Sequence, residues 1–125
     1  MNYLDANIII YALSDTTLKG ESCRKLVQTQ RFATSIMSLD EVCHILRKKS
    51  PQTALNAVTV FLKSPNLILV PFDASDIGGF IEYQKKGLKP RDAIHALSAK
   101  KAGCRMFYSE DVDFDKIGMQ RRTPW

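Results

Sequence analysis

Residues 1–13 read M-N-Y-L-D-A-N-I-I-I-Y-A-L, and the fold turns on how this stretch divides. Tyr3 and Leu4 suit a short strand, while the apolar run 8–13 suits a helix packed on a core. Asp5 lies between them. A buried carboxylate without a partner is costly, so Asp5 either caps the helix or has its charge compensated by something cationic. A strand that runs into a helix is the first half of a βα unit, and the chain repeats that alternation to its end.

Further strands are expected over 32–36, 67–72, 105–108 and 119–122. Helices are expected over 19–30, with an apolar stripe at Cys23, Leu26 and Val27, and over 38–47, with Val42, Ile45 and Leu46 on one face. A helix over 53–62 would pack through Leu55, Val58 and Leu62, and two more are expected over 76–86 and 92–102. Residues 67–72, L-I-L-V-P-F, form a continuous apolar run that suits a strand buried on both faces. This order predicts an α/β fold, a central parallel sheet flanked by helices on both faces. At 125 residues and 45% hydrophobic, one domain spanning 1–125 can bury its own core.

The three cysteines, Cys23, Cys43 and Cys104, are odd in number and far apart, which fits reduced thiols and neither a disulfide framework nor a zinc ribbon. The longest apolar run near the start is too short for a membrane span or a signal sequence. A cytoplasmic protein with no membrane partner is expected. Lys and Arg number 18 against 13 Asp and Glu, a formal net charge of +5. That balance favours polyanions through counterion release, although a basic solvated surface would look the same.

The acids are distributed less evenly than the bases. In a parallel sheet, ligands gather beyond the carboxyl ends of the strands, and four acids fall there. Asp5 ends the first strand, Glu41 lies about a turn into the helix after the second, Asp92 opens the helix P-R-D-A-I-H-A-L, and Asp111 follows the strand ending M-F-Y-S. Each also has a structural role open to it. Asp5 and Asn7 are good helix N-caps, Ser38 with Glu41 spells the capping box S-x-x-E, and Asp92 suits a first helical turn behind Pro90. Ser109 with Asp111 could begin a short last helix. Together, four carboxylates at one sheet edge would repel one another, and a hard divalent cation would relieve that repulsion.

Oxygen ligands without a thiolate suit Mg²⁺ or Mn²⁺ rather than zinc. Glu41-x-x-His44 and Asp92-x-x-His95 have the i, i+3 spacing used in di-iron bundles, but such sites need further long helices. A histidine in an apolar helix more often serves as a hydrogen-bonded core residue. No G-x-S-x-G elbow, Walker A loop or G-x-G-x-x-G fingerprint occurs.

The segments L-D-A-N-I-I-I-Y, S-L-D-E-V, P-R-D-A-I-H-A-L-S-A and S-E-D-V-D-F-D-K-I resemble, in order and spacing, the PIN-domain ribonucleases. The sequence is most similar to the small VapC-type toxins of prokaryotic toxin-antitoxin pairs. The resemblance implies a PIN-like fold, usually a homodimer, inhibited by an antitoxin protein. It implies a Mg²⁺-dependent endoribonuclease that cleaves single-stranded or structured RNA by metal-activated water. Its metal-binding acids would be Asp5, Glu41, Asp92 and Asp111, with Asn7 and Ser109 supporting them or contacting phosphate. In S-E-D-V-D-F-D, Glu110, Asp113 and Asp115 compete with Asp111, Asp113 most directly. Placing the N-cap of a last helix at Ser109 would set Asp113 well round from Asp111. Arg91, beside Asp92, would either hold a flanking phosphate or neutralise the acids. Three other readings are a PIN-like scaffold without catalysis, a PIN nuclease of RNA processing, and a structure-specific DNA nuclease. Intact acids count against the first, and the shortness of the chain against the last.

Overall fold

A computed structural model describes residues 1–125. Strands β1 (Asn2–Leu4), β2 (Phe32–Ser35), β3 (Leu67–Val70), β4 (Met106–Tyr108) and β5 (Gln120–Arg122) pair in parallel in the order β3-β2-β1-β4-β5. The helices are α1 (Ala6–Ser14), α2 (Leu18–Thr29), α3 (Ile36–Leu46), α4 (Pro51–Leu62), α5 (Ile77–Lys85) and α6 (Pro90–Lys101). Short 3-10 segments cover Ala74–Asp76 and Val112–Ile117.

The period-2 alternation of the strands sends neighbouring side chains into two cores. Leu4 and Phe32 join Ile8, Ile9, Cys23, Leu26, Val42 and Phe61, contributed by α1 to α4. Tyr3, Ala33 and Phe107 face the other way, onto Ala93, Ala96 and Ala99 of α6 and onto Phe114. Helices therefore cover both faces, as the alternating pattern predicts. The three alanines, one per turn, let α6 sit close on the sheet.

Three expectations about packing change. Residues 67–72 are not a strand buried on both faces: β3 is an edge strand, and only Val70 in it is fully buried. The strand buried throughout is β2, Phe-Ala-Thr-Ser, whose small and polar side chains hide the signal. In α4 the packed face is Ala54, Val58 and Phe61, with Leu55 and Leu62 exposed. Phe61 sets that rotation by packing on Phe32, ring centroids 5.9 Å apart.

The third change concerns α3: Ile45 is exposed and does not share the buried face of Val42 and Leu46, and the helix starts earlier than expected. Ser38 and Glu41 do not form a capping box, because α3 begins at Ile36 and its N-cap is Ser35, whose hydroxyl accepts from the Met37 N–H. Ser38 is buried inside the helix and hydrogen-bonds Thr34, freeing Glu41 from any capping duty.

The chain builds outward from β1 through β2 to β3, then returns to lay β4 on the other side of β1. The crevice beyond the carboxyl ends of β1 and β4 is thus a topological switch point, where ligands bind in such sheets.

Candidate acidic site

Asp5 stands at that switch point. Its backbone N–H donates to Tyr108 O at 3.0 Å, extending the β1–β4 pairing by one bond. Its side chain caps α1, Oδ1 accepting from the Ala6 N–H at 2.7 Å. Capping therefore occurs, at Asp5 and not at Asn7, which lies inside the first turn. One oxygen suffices for the cap. The other, Oδ2, accepts from the Ser109 hydroxyl at 2.6 Å and from Asn7 Nδ2 at 3.3 Å. Burial pushes the Asp5 pKa above its ordinary range, opposed in part by His95 and Ser109.

Asp5, Glu41, Asp92 and Asp111 line one cavity of about 210 Å³, together with Asn7, Ile10, His44, Ile45 and Arg91. The four acids singled out in the sequence thus come together from β1, α3, α6 and the turn after β4. Asp92 is the third residue of α6, behind Pro90. Its pKa is pushed up to about 6, first by burial and then by the charges of Asp111 and Asp5.

The last acid differs from the register expected for it. Ser109 does not cap a helix; its hydroxyl accepts from the Asp111 N–H at 2.9 Å while donating to Asp5. Asp111 is the N-cap of the 3-10 segment and accepts from the Asp113 N–H at 2.9 Å. In this tighter turn Asp113 is not carried away from Asp111. Ligand atoms of Asp92, Asp111 and Asp113 lie within 4.8 Å of one another, so both acids reach the cluster. Asp113 does not line the cavity and instead faces Lys116 at 3.4 Å. The remaining competitors are committed elsewhere. Glu110 takes Tyr11 and Lys19, and Asp115 takes Arg121 at 3.0 Å.

Arg91 is exposed at the cavity and enters none of the ion pairs of the chain. It is therefore free for a ligand.

His95 belongs to this site more closely than its spacing suggested. It is buried beneath the cavity, with Nε2 2.8 Å from Glu41 Oε1 and 3.2 Å from Asp5 Oδ1, and with Nδ1 2.8 Å from the Tyr3 hydroxyl. Burial disfavours its charged form, but Asp5 and Glu41 outweigh that and hold its pKa above the ordinary value. The i, i+3 relation of Asp92 and His95 reports a shared helical face. Partners 54 and 90 residues away leave no signal in spacing.

The donor set suits a hard divalent cation. The cavity wall offers carboxylate oxygens and no thiolate. Beside them, Asn7 Oδ1 is a buried acceptor with no protein donor, the kind of group that a cation or its water shell satisfies. A larger cavity of about 440 Å³ between α2 and α4 has no acid in its lining, and no comparable chemistry can be placed there.

The PIN domain family matches residues 3–119. No curated protein matches the sequence. Among solved structures, VapC20 of Mycobacterium tuberculosis, a Sarcin-Ricin loop cleaving toxin, is similar with a TM-score of 0.78 at 17% identity, over 95% of this chain and 96% of that one. VapBC2 from Rickettsia felis, bound to a DNA fragment from its promoter, gives 0.72 at 21% identity over 98% of both chains. DNA-bound VapBC from Salmonella typhimurium gives 0.74 at 20% identity, over 99% and 98%. At these identities the likeness is one of fold.

Proposed function

The chain belongs to the PIN-domain family, and from that premise we propose that it is a divalent-metal-dependent endoribonuclease, the VapC-type toxin of a toxin-antitoxin pair. The observation that carries the reading is the meeting of Asp5, Glu41, Asp92 and Asp111 at one cavity of a chain whose net charge is +5. Acids gathered in an otherwise basic protein suit a cation, and the basic remainder suits a polyanion.

Asp5, Glu41, Asp92 and Asp111 would hold Mg²⁺ or Mn²⁺, which when bound supplies an activated water and offsets charge developing at the scissile phosphate. Ser109 and Asn7 keep Asp5 turned toward the cavity through their hydrogen bonds to Oδ2. Arg91, exposed and unpaired, contacts a flanking phosphate of the RNA. Asp92, its pKa raised to about 6, holds a proton more readily than an ordinary carboxyl, and below about pH 6 that proton would have to leave for a cation to bind. Asp113 supports Asp111 from outside the cavity.

The same reading takes 1–125 as one nuclease domain, working as a homodimer and held inactive by a cognate antitoxin. The VapBC neighbours lend the antitoxin its support, and the RNA-cleaving toxin among them favours single-stranded or structured RNA. No helix is long and apolar enough to cross a membrane. The three free thiols suit a reducing cytoplasm.

The test is cleavage of RNA by the purified protein with EDTA, then with Mg²⁺ or Mn²⁺ restored. Activity is expected to vanish and return, and undiminished cleavage in chelator would falsify the reading.

A further inference from the structure

We infer that Tyr3 and His95 form a buried positioning pair beneath the acids, in which the Tyr3 hydroxyl keeps the imidazole proton on Nε2 and His95 thereby holds Asp5 and Glu41 to one donor. The inference deepens the nuclease reading and rests on its metal site for the consequence in Mn²⁺ binding.

Tyr3 lies in β1 at the centre of the sheet, fully buried, stacked on Phe107 with ring centroids 4.9 Å apart and meeting His95 edge-on at 5.8 Å. Its oxygen accepts from the Ser35 N–H at 3.0 Å. The hydroxyl proton then needs an acceptor of its own; the nearby Thr34 and Ser38 hydroxyls are bonded to each other, and His95 Nδ1 at 2.8 Å is the acceptor in direct hydrogen-bond contact. A buried hydroxyl proton without an acceptor is costly, so the neutral imidazole accepts at Nδ1 and carries its proton on Nε2.

That choice decides what the acids meet. Nε2 faces Glu41 Oε1 at 2.8 Å and Asp5 Oδ1 at 3.2 Å. With the proton on Nδ1, a lone pair would face both carboxylates and drive them apart. With it on Nε2, an N–H is shared between a residue at the end of β1 and one in α3. The imidazolium also carries this N–H, so the donor is present in either charge state, and Tyr3 secures it in the neutral one. His95 is only 1% exposed and does not line the cavity. It therefore acts through Asp5 and Glu41, as a positioning residue.

The experiment is nitrogen-resolved NMR of the metal-free protein at alkaline pH, where the ring is neutral, with the His95 signals identified by their loss in His95→Gln. The expected wild-type spectrum has Nε2 protonated and Nδ1 bare. Tyr3→Phe, which keeps the ring stacked on Phe107, is expected to mix the tautomers. It should also weaken Mn²⁺ binding in calorimetric titration, by up to the roughly tenfold lower end of what removing a group bonded directly to a ligand costs. A wild-type ring protonated on Nδ1 overturns the inference. So does a Tyr3→Phe protein of lowered melting temperature whose tautomer and Mn²⁺ affinity are unchanged, since that is a packing role alone. Should Tyr3→Phe not fold, His95→Gln and His95→Leu decide: the amide donor of Gln is expected to retain more Mn²⁺ affinity than Leu, and equal loss overturns the inference. A wild-type protein with the expected tautomer that binds Mn²⁺ but cleaves no RNA counts against the nuclease reading and leaves the positioning pair standing.

Discussion

The Ser109 hydroxyl donates to Asp5 Oδ2 at 2.6 Å across 104 residues of sequence, joining the end of β4 to the end of β1 at the floor of the acidic cavity. Both residues are buried, so this bond determines how an ionised carboxylate can be kept inside the protein. Ser109→Ala removes it and leaves Asp5 with a lost donor. A loss of about 1–3 kcal/mol in folding stability is expected, together with weaker Mn²⁺ binding. Urea unfolding and calorimetric titration of the variant check both.

The raised pKa of Asp92 makes stability depend on pH in a stated direction. Its folded value of about 6 lies above its ordinary 3.8, so the folded protein binds this proton more tightly than the unfolded chain. The stabilisation is full below about pH 3.8 and is lost as pH rises through 6. Asp5 shifts the same way. For the half-buried Asp92, after allowance for solvent screening, metal-free protein is expected to be less stable at about pH 7.5 than at about pH 5 by roughly 0.5–1 kcal/mol. Urea titrations at the two pH values measure the difference, and Asp92→Asn should reduce it.

The same group governs loading. Below about pH 6 a proton on Asp92 competes with a cation for the carboxylate. Mn²⁺ affinity is therefore expected to fall as the pH is lowered from 7.5 to 5. An affinity indifferent to pH over that range would take Asp92 out of the ligand set.

Asp111 and Asp113 separate by position. Asp111 lines the cavity, whereas Asp113 faces Lys116 and touches the cluster from outside. Asp111→Asn is expected to abolish cleavage at saturating Mg²⁺, and Asp113→Asn to reduce it severalfold. The 3-10 turn puts the two closer in effect than an α-helical register would, so a completely silent Asp113→Asn is not expected. Paired single-variant cleavage assays with metal titration decide the order.

Binding to RNA is expected to weaken with salt, the logarithm of the association constant falling by roughly 0.7 per phosphate contact per decade for a single strand. Arg91→Ala should lower that slope by about 0.7, one contact. A slope unchanged by the substitution would return Arg91 to the role of charge compensation.

Much of the fold is legible in the sequence because it rests on local chemistry. Period-2 and period-3.6 apolar patterns place every strand and helix to within a few residues, and Asp5 and Pro90 mark the starts of α1 and α6. The alternation alone implies a parallel sheet, and the sheet implies that acids following its strands share an edge. What those patterns misjudge is burial. The run 67–72 is apolar yet forms an edge strand, while the inconspicuous Phe-Ala-Thr-Ser becomes the strand buried throughout, since strand order is a property of the whole sheet.

For the site, the sequence by itself placed Asp5, Glu41, Asp92 and Asp111 where they could gather, because each follows a strand or lies in the first turns of a helix at the same end. Only the tertiary structure decided what stands behind them. Ser109 bonds Asp5 rather than capping a helix, Ser35 takes the capping role read at Ser38, Asp113 stays with Asp111, and His95 bridges Asp5 to Glu41 with Tyr3 at its back. Each of these is a hydrogen bond or charge contact set by where chain segments cross in space, and sequence spacing carries no record of which distant donor a buried carboxylate will meet.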